Sequence, residues 1–170
     1  ANFTQGGTAG ITLVDTNVSF GTGYFNATCT QDYSVLDSAA PATDPRLTPN
    51  CWINISGYPL TPDFHRLRNT GTSPARNLTA LGDKSARDFY CGIGVNCITD
   101  EVSSIVEIKA TNAEAGSCTT NLQSTYTQLS QNMTNVSVTL CRNLLFKDTK
   151  DELNTYYNLT VPAGTPAGLK

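Results

Sequence analysis

Eight asparagines of this chain stand in Asn-x-Ser/Thr acceptors: Asn2, Asn17, Asn26, Asn54, Asn77, Asn132, Asn135 and Asn158. A strand or helix that carries a glycan must keep that side in solvent, so acceptors spread this widely limit which faces can be buried. Chance does not account for them. With 15 Asn and 37 Ser or Thr among 170 residues, roughly three acceptors would arise at random, and none of the eight has Pro in its middle position. The pattern reads as a heavily N-glycosylated secretory protein of a eukaryote.

Six cysteines agree with an oxidising, extracellular compartment: Cys29, Cys51, Cys91, Cys97, Cys118 and Cys141. They are even in number and contain no Cys-x-x-Cys pair, and the one His cannot complete a Cys/His zinc set. Three disulfides are expected, with Cys29–Cys51 in the first half and the other four cysteines pairing among themselves. The chain starts at Ala1 without a Met or a basic segment, which reads as a mature end after signal-peptide removal. Only 15% of residues are charged and the net charge is −3. No nucleic-acid partner is expected from that balance, and no apolar run is long enough for a membrane span.

The expected fold class is α+β: a small antiparallel sheet from the N-terminal half, helices in the C-terminal half, and three disulfides. It is read as one domain over 1–170, with 160–170 a flexible Pro/Gly-rich tail. Residues 10–30 alternate, Val18 and Phe20 before the Gly21-Thr22-Gly23 turn and Phe25, Ala27 and Cys29 after it, which reads as a hairpin. At 51–56, Cys51, Ile53 and Ile55 are expected to face in and Trp52, Asn54 and Ser56 out. The proline-bearing stretches 37–50 and 57–88 are expected to be long loops. Residues 99–131 show spacings of 3 and 4. Thr99 serves as cap, Asp100 and Glu101 sit at the start, Val102, Ile105 and Val106 form a stripe, and Cys118, Leu122, Tyr126, Leu129 and Met133 continue it. Residues 136–146 fit strand or helix. Residues 151–158 read as a short helix through Leu153, Tyr156 and Tyr157.

The chemistry-bearing motifs are sparse. His65 with Asp63, Arg66 and Arg68 could serve phosphodiester cleavage. Asp100-Glu101 and Asp151-Glu152 are adjacent acids that suit helix starts. Gly71-Thr72-Ser73-Pro74-Ala75 fails as a nucleophile elbow, because Pro74 has no N–H for an oxyanion hole. Cys91-Gly92-Ile93-Gly94-Val95-Asn96-Cys97 lacks the Lys of a phosphate loop. Residues 46–97 are mildly basic, six bases against three acids, mostly through Arg66, Arg68, Arg76, Lys84 and Arg87. No catalytic residue, metal site or cofactor is assigned.

The general organisation resembles that of small, acidic, glycan-rich secreted proteins of fungi, some of which serve as the non-catalytic small subunit of a larger secreted enzyme, as in two-subunit laccases. The expected function is binding: an accessory or stabilising subunit, or a protein of the cell wall that binds glycans. The expected partner is a larger secreted protein or a wall polysaccharide. The alternative is a small secreted hydrolase of glycans or RNA. The longest stretch without an acceptor is 78–131, and Val102, Ile105 and Val106 within it are the expected interface.

Overall fold

A computed structural model describes residues 1–6, 10–26, 28–39, 51–56, 62–95, 105–131 and 134–165. Twelve strands and one short helix are found among them: β1 (Asn2–Gly6), β2 (Ile11–Asp15), β3 (Thr22–Phe25), β4 (Tyr33–Asp37), β5 (Trp52–Ser56), β6 (His65–Asn69), β7 (Ala75–Leu81), α1 (Ala86–Cys91), β8 (Ile105–Asn112), β9 (Thr127–Gln131), β10 (Thr134–Asn135), β11 (Val138–Leu144) and β12 (Glu152–Pro162). The chain is mostly β, and this overturns the expected helices of the C-terminal half. The 99–131 helix is replaced by β8, an irregular crossing and β9. The 151–158 helix is instead the first part of β12, and 136–146 resolves as strand β11. Thr99, Asp100, Glu101, Val102 and Met133 lie outside the described residues.

The reason is visible in β12. Leu153, Thr155, Tyr157, Leu159 and Val161 are buried, while Asn154, Tyr156, Asn158 and Thr160 between them are half-exposed. That period of two is a strand with one apolar face. β8 repeats it, with Ile108 and Ala110 fully buried.

The strands build three antiparallel sheets. The main sheet runs β10-β9-β8-β12-β6-β2, and β4 pairs with the far end of β12. The long β12 therefore has β8 along one edge, and β6 then β4 along the other. The second sheet is β1-β7-β11, and β3 pairs with β5 alone. The expected hairpin within 10–30 does not form, since β2 pairs with β6 and β3 with β5. The expected loop over 57–88 contains β6, β7 and the first half of α1.

The main and second sheets pack face to face as a sandwich. Leu67, Ile108, Ala110, Leu129, Leu153 and Tyr157 from one meet Ala75, Leu78, Ala80, Val138, Leu140 and Leu144 from the other. A polar clasp joins them. Asn69, buried at the end of β6, donates from Nδ2 to the carbonyls of Ser73, Leu144 and Leu145, and its Oδ1 accepts from Gly71 N–H.

Two disulfides fasten the irregular segments. Cys29–Cys51 (Cα–Cα 5.6 Å) closes the connection from β3 to β5, the pairing expected from sequence. Cys118–Cys141 (Cα–Cα 5.9 Å) ties the β8–β9 crossing to β11. Cys91 is also disulfide-bonded; Cys97 lies outside the described residues, so two bridges are described where three were expected. The disulfides fit an extracellular protein. No helix among the described residues is long and apolar enough to cross a membrane. The segment from Thr160 through Pro162, expected as the start of a flexible tail, is the paired end of β12, with Val161 and Pro162 buried.

Candidate functional site

The second sheet does not cover the whole inward face of the main sheet. Beyond the main core, the inward face of β4, β12, β8 and β9 opens onto a cavity of about 1230 Å³. Folded interiors ordinarily leave few voids larger than a water molecule. Ligand sites usually measure about 300–1,000 Å³, so this space suits a sizeable guest.

Its walls follow from the strand alternation. Val106, Leu129, Leu159 and Val161 project into it from the main sheet, and Leu36 from β4. The opposite side is Val18 and Phe20, Phe25 of β3, Trp52 of β5 and Phe89 of α1. Leu36, Tyr90, Leu159 and Val161 form a second apolar cluster, against which Phe20, Trp52, Phe89 and Val106 pack. α1 is placed there by its own capping: Ser85 accepts from Asp88 N–H at its start, and Gly92, at φ 96°, ends it. Tyr90, buried in α1, donates to the Ile105 carbonyl and so holds the helix to β8.

Polar residues also line it, and Asn17, Ser19, Asp32, Asp83 and Lys84 among them are exposed. His65 of β6 faces inward, and its Nδ1 lies 2.9 Å from the Tyr157 hydroxyl. Burial lowers the imidazole below its usual value; the amino group of Ala1 acts the same way, against a hydrogen bond with the Thr16 backbone and the carboxylates of Asp15 and Asp63. Burial pushes the Tyr157 phenol up to about 12. Both groups are therefore neutral at pH 7. The arrangement that satisfies both has Tyr157 donating to Nδ1 and the other ring N–H donating to the Thr16 carbonyl. The indole N–H of Trp52 is buried, with no hydrogen-bond partner among the described residues. It sits against Gly23, where any added Cβ would collide with Trp52 and with the Ile53 carbonyl.

The buried histidine sets a pH dependence. Its folded pKa is below the unfolded value of about 6.5, so the unfolded chain binds the proton more readily and stability falls as pH drops below 6.5. Glu107 and Asp151 act oppositely. Both carboxyls are raised, first by burial, so they favour the fold as pH falls into the carboxylate range. Between pH 7.5 and 5.5 the thermal midpoint is expected to decline, and His65→Gln to flatten that decline. Equal slopes for the two proteins would contradict the assignment.

Several groups expected to act together are kept apart. Strand alternation turns His65 inward and Arg66 and Arg68 to the opposite face. There Arg68 Nε meets Glu152 at 2.9 Å and Asp151 at 3.5 Å, and Arg66 Nε meets Glu152 at 3.7 Å. The phosphodiester grouping is thus split across the sheet, and Asp63 accepts from the backbone of Ser19 and Phe64. Asp151 and Glu152 serve those ion pairs, not a helix start. Gly71 to Ala75 connects β6 to β7. Trp52, expected outward, lines the cavity, and Ile55, expected inward, is 67% exposed.

Of the residues expected as an interface, Ile105 and Val106 are consecutive in β8 and so point to opposite faces. Val106 is packed inside, Ile105 lies half-buried on the outer face of β8, and Val102 is outside the described residues. Among the acceptors, Asn2, Asn17, Asn77 and Asn135 are exposed, and Asn26 and Asn158 are half-buried. Asn132 and the side chain of Asn54 are outside the described residues. No group of three or more His, Cys, Asp or Glu that could hold a metal is found among the described residues.

The wall residues Leu36, Phe89, Leu159 and Val161 were not singled out from the sequence, and Phe20 was read only as a strand residue. The one available signal was the alternation of 153–161. Comparison with protein-family models, with curated proteins and with solved structures found no match to this chain.

Proposed function

We propose that this chain is a secreted, non-catalytic glycoprotein that acts by binding, and that its guest is an amphipathic small molecule held in the sandwich cavity. The observation that carries this reading is a space of about 1230 Å³ with a mostly apolar inner wall, the neutral His65–Tyr157 pair within it, and polar residues such as Asn17, Asp32, Asp83 and Lys84 at exposed positions of its lining. An apolar body, such as a long alkyl chain or fused rings, would lie against Phe20, Leu159 and Val161. A hydroxyl or carbonyl would meet the neutral His65–Tyr157 pair. A charged head group is disfavoured there, because its desolvation would go uncompensated. The antiparallel fold, the disulfides and the acceptors at exposed positions support secretion and glycosylation.

A second reading, the accessory subunit of a larger secreted enzyme, is favoured by one feature. Ile93 is 77% exposed and Val95 is 49% exposed on the turn after α1, inside the 78–131 stretch that has no acceptor. Native mass measurement on protein purified gently from its secretion medium tests both. A small-molecule adduct lost on denaturation supports the cavity reading, and co-elution with a large protein at fixed stoichiometry supports the subunit reading. A bare glycosylated chain that takes up no apolar probe would contradict the cavity reading.

A further inference from the structure

The outer face of the main sheet, opposite the cavity, carries a continuous strip of ring contacts. The Arg66 guanidinium lies 5.3 Å from the centroid of Phe64, and Phe64 meets Tyr156 edge-on at 5.4 Å. Lys109 Nζ stands 5.7 Å from the Tyr156 ring and 4.2 Å from that of Tyr126. The Tyr126 hydroxyl donates to Asp37, which also accepts from Ala39 N–H. Phe64 precedes β6, Tyr156 is on β12, Lys109 on β8 and Asp37 on β4, so the strip crosses four adjoining segments of one sheet.

Asn158 projects from the middle of this face. It is two residues from Tyr156 along β12, a distance of about 7 Å on a strand. The ladder sets it directly opposite Asp37 on one side and Glu107 on the other. Leu159 and Thr160 complete its acceptor motif. Unlike Asn2 and Asn77, which are exposed, it is half-buried.

We infer that the glycan carried by Asn158 is docked on this strip as part of the sheet's outer surface. A sugar attached here starts between Asp37 and Glu107 and within about 7 Å of Tyr156 along the strand. Its C–H faces match the Tyr156 ring, as apolar sugar faces match aromatic ones. Its hydroxyls meet the carboxyl of Glu107, the amide of Gln128 opposite it on β9, and the Lys109 ammonium, which supply acceptors and donors in one place. The burial of Glu107 beside Asp37 fits a face built to be covered.

This inference rests on the glycoprotein reading above, and the test separates the two. The full chain, expressed in a eukaryotic secretory host, is digested under native conditions with a glycan-releasing amidase. Release is followed site by site by glycopeptide mass spectrometry, with a denatured sample as reference. Asn158 should be occupied and released at least about tenfold more slowly than Asn77 in the folded protein, a factor that corresponds to about 1.4 kcal/mol of docking, and at equal rates after denaturation. Tyr156→Ala should speed release at Asn158 and leave Asn77 unchanged. An unmodified Asn158 beside an occupied Asn77, or equal native release rates, overturns the docking and leaves the glycoprotein reading intact. No glycan at any site overturns both.

Discussion

Asn69→Ala is expected to lower the free energy of unfolding by about 3–4 kcal/mol, among the largest losses available to a single polar substitution here. Asn69 is 1% exposed, and its amide is the hydrogen-bond partner of three carbonyls and one N–H. Two of those carbonyls, Leu144 and Leu145, belong to the end of β11 and the residue after it, so the side chain joins one sheet of the sandwich to the other. Alanine leaves these groups inside without partners, each at a cost of about 1–3 kcal/mol where water cannot reach. Asn69→Asp should be at least as damaging, because a carboxylate cannot donate to the three carbonyls. Urea unfolding followed by circular dichroism measures both. A loss below about 1 kcal/mol for alanine would mean that the clasp is wet and the sheets are held by apolar packing alone.

Val106→Phe is expected to leave stability within about 1 kcal/mol of the parent while reducing affinity for an apolar guest at least about tenfold. In a filled core the larger ring would be costly, about 1–3 kcal/mol through strain. Val106 instead stands at the wall of a large space, so the added ring has somewhere to go, and it takes volume from the guest. The same residue was expected from sequence to face a protein partner. An interface role predicts that Val106→Phe alters association with that partner and leaves small-molecule uptake untouched. A marked loss of stability would show that the cavity is closed in solution.

Some of this organisation was legible in the sequence. Cys29 and Cys51 are separated by 22 residues, and their bridge follows from their place in the first half of the chain. Strand β5 was expected within one residue of its bounds, although Trp52, expected outward, lines the cavity and Ile55, expected inward, is mostly exposed. The extended character of 10–30 was also visible, but the partners were not. β2 and β3 pair with strands over 50 and about 30 residues away, and no local pattern encodes such a register.

The C-terminal half misled for a physical reason. Tyr156 and Tyr157 are adjacent apolar residues on opposite faces of β12. One packs inward against His65 and the other lies on the outer strip. An aromatic on each face hides the period of two and imitates the i, i+3, i+4 spacing of a helix. Over 113–126 the apolar residues belong to a crossing whose backbone is paired piecemeal. Gln123 N–H donates to the Leu140 carbonyl and Arg142 N–H to that of Thr120, and the Cys118–Cys141 bridge holds it to β11. The cavity was the least legible feature of all. Its walls come from nine separate segments, and what makes it a site is the absence of side chains large enough to fill the space between them.

The central claim is that the sandwich holds an amphipathic guest, and the chain carries its own reporter. Trp52 is the sole tryptophan and lines the cavity, so its emission can be followed while the purified protein is titrated with a long-chain alcohol. Saturable, one-site quenching or shift is expected, with a Kd of about 1 μM if some 17 heavy atoms each contribute roughly 0.5 kcal/mol, and it should weaken at least about tenfold in Val106→Phe. An emission spectrum unchanged up to the solubility limit of the alcohol, in protein shown to be folded, would contradict the account.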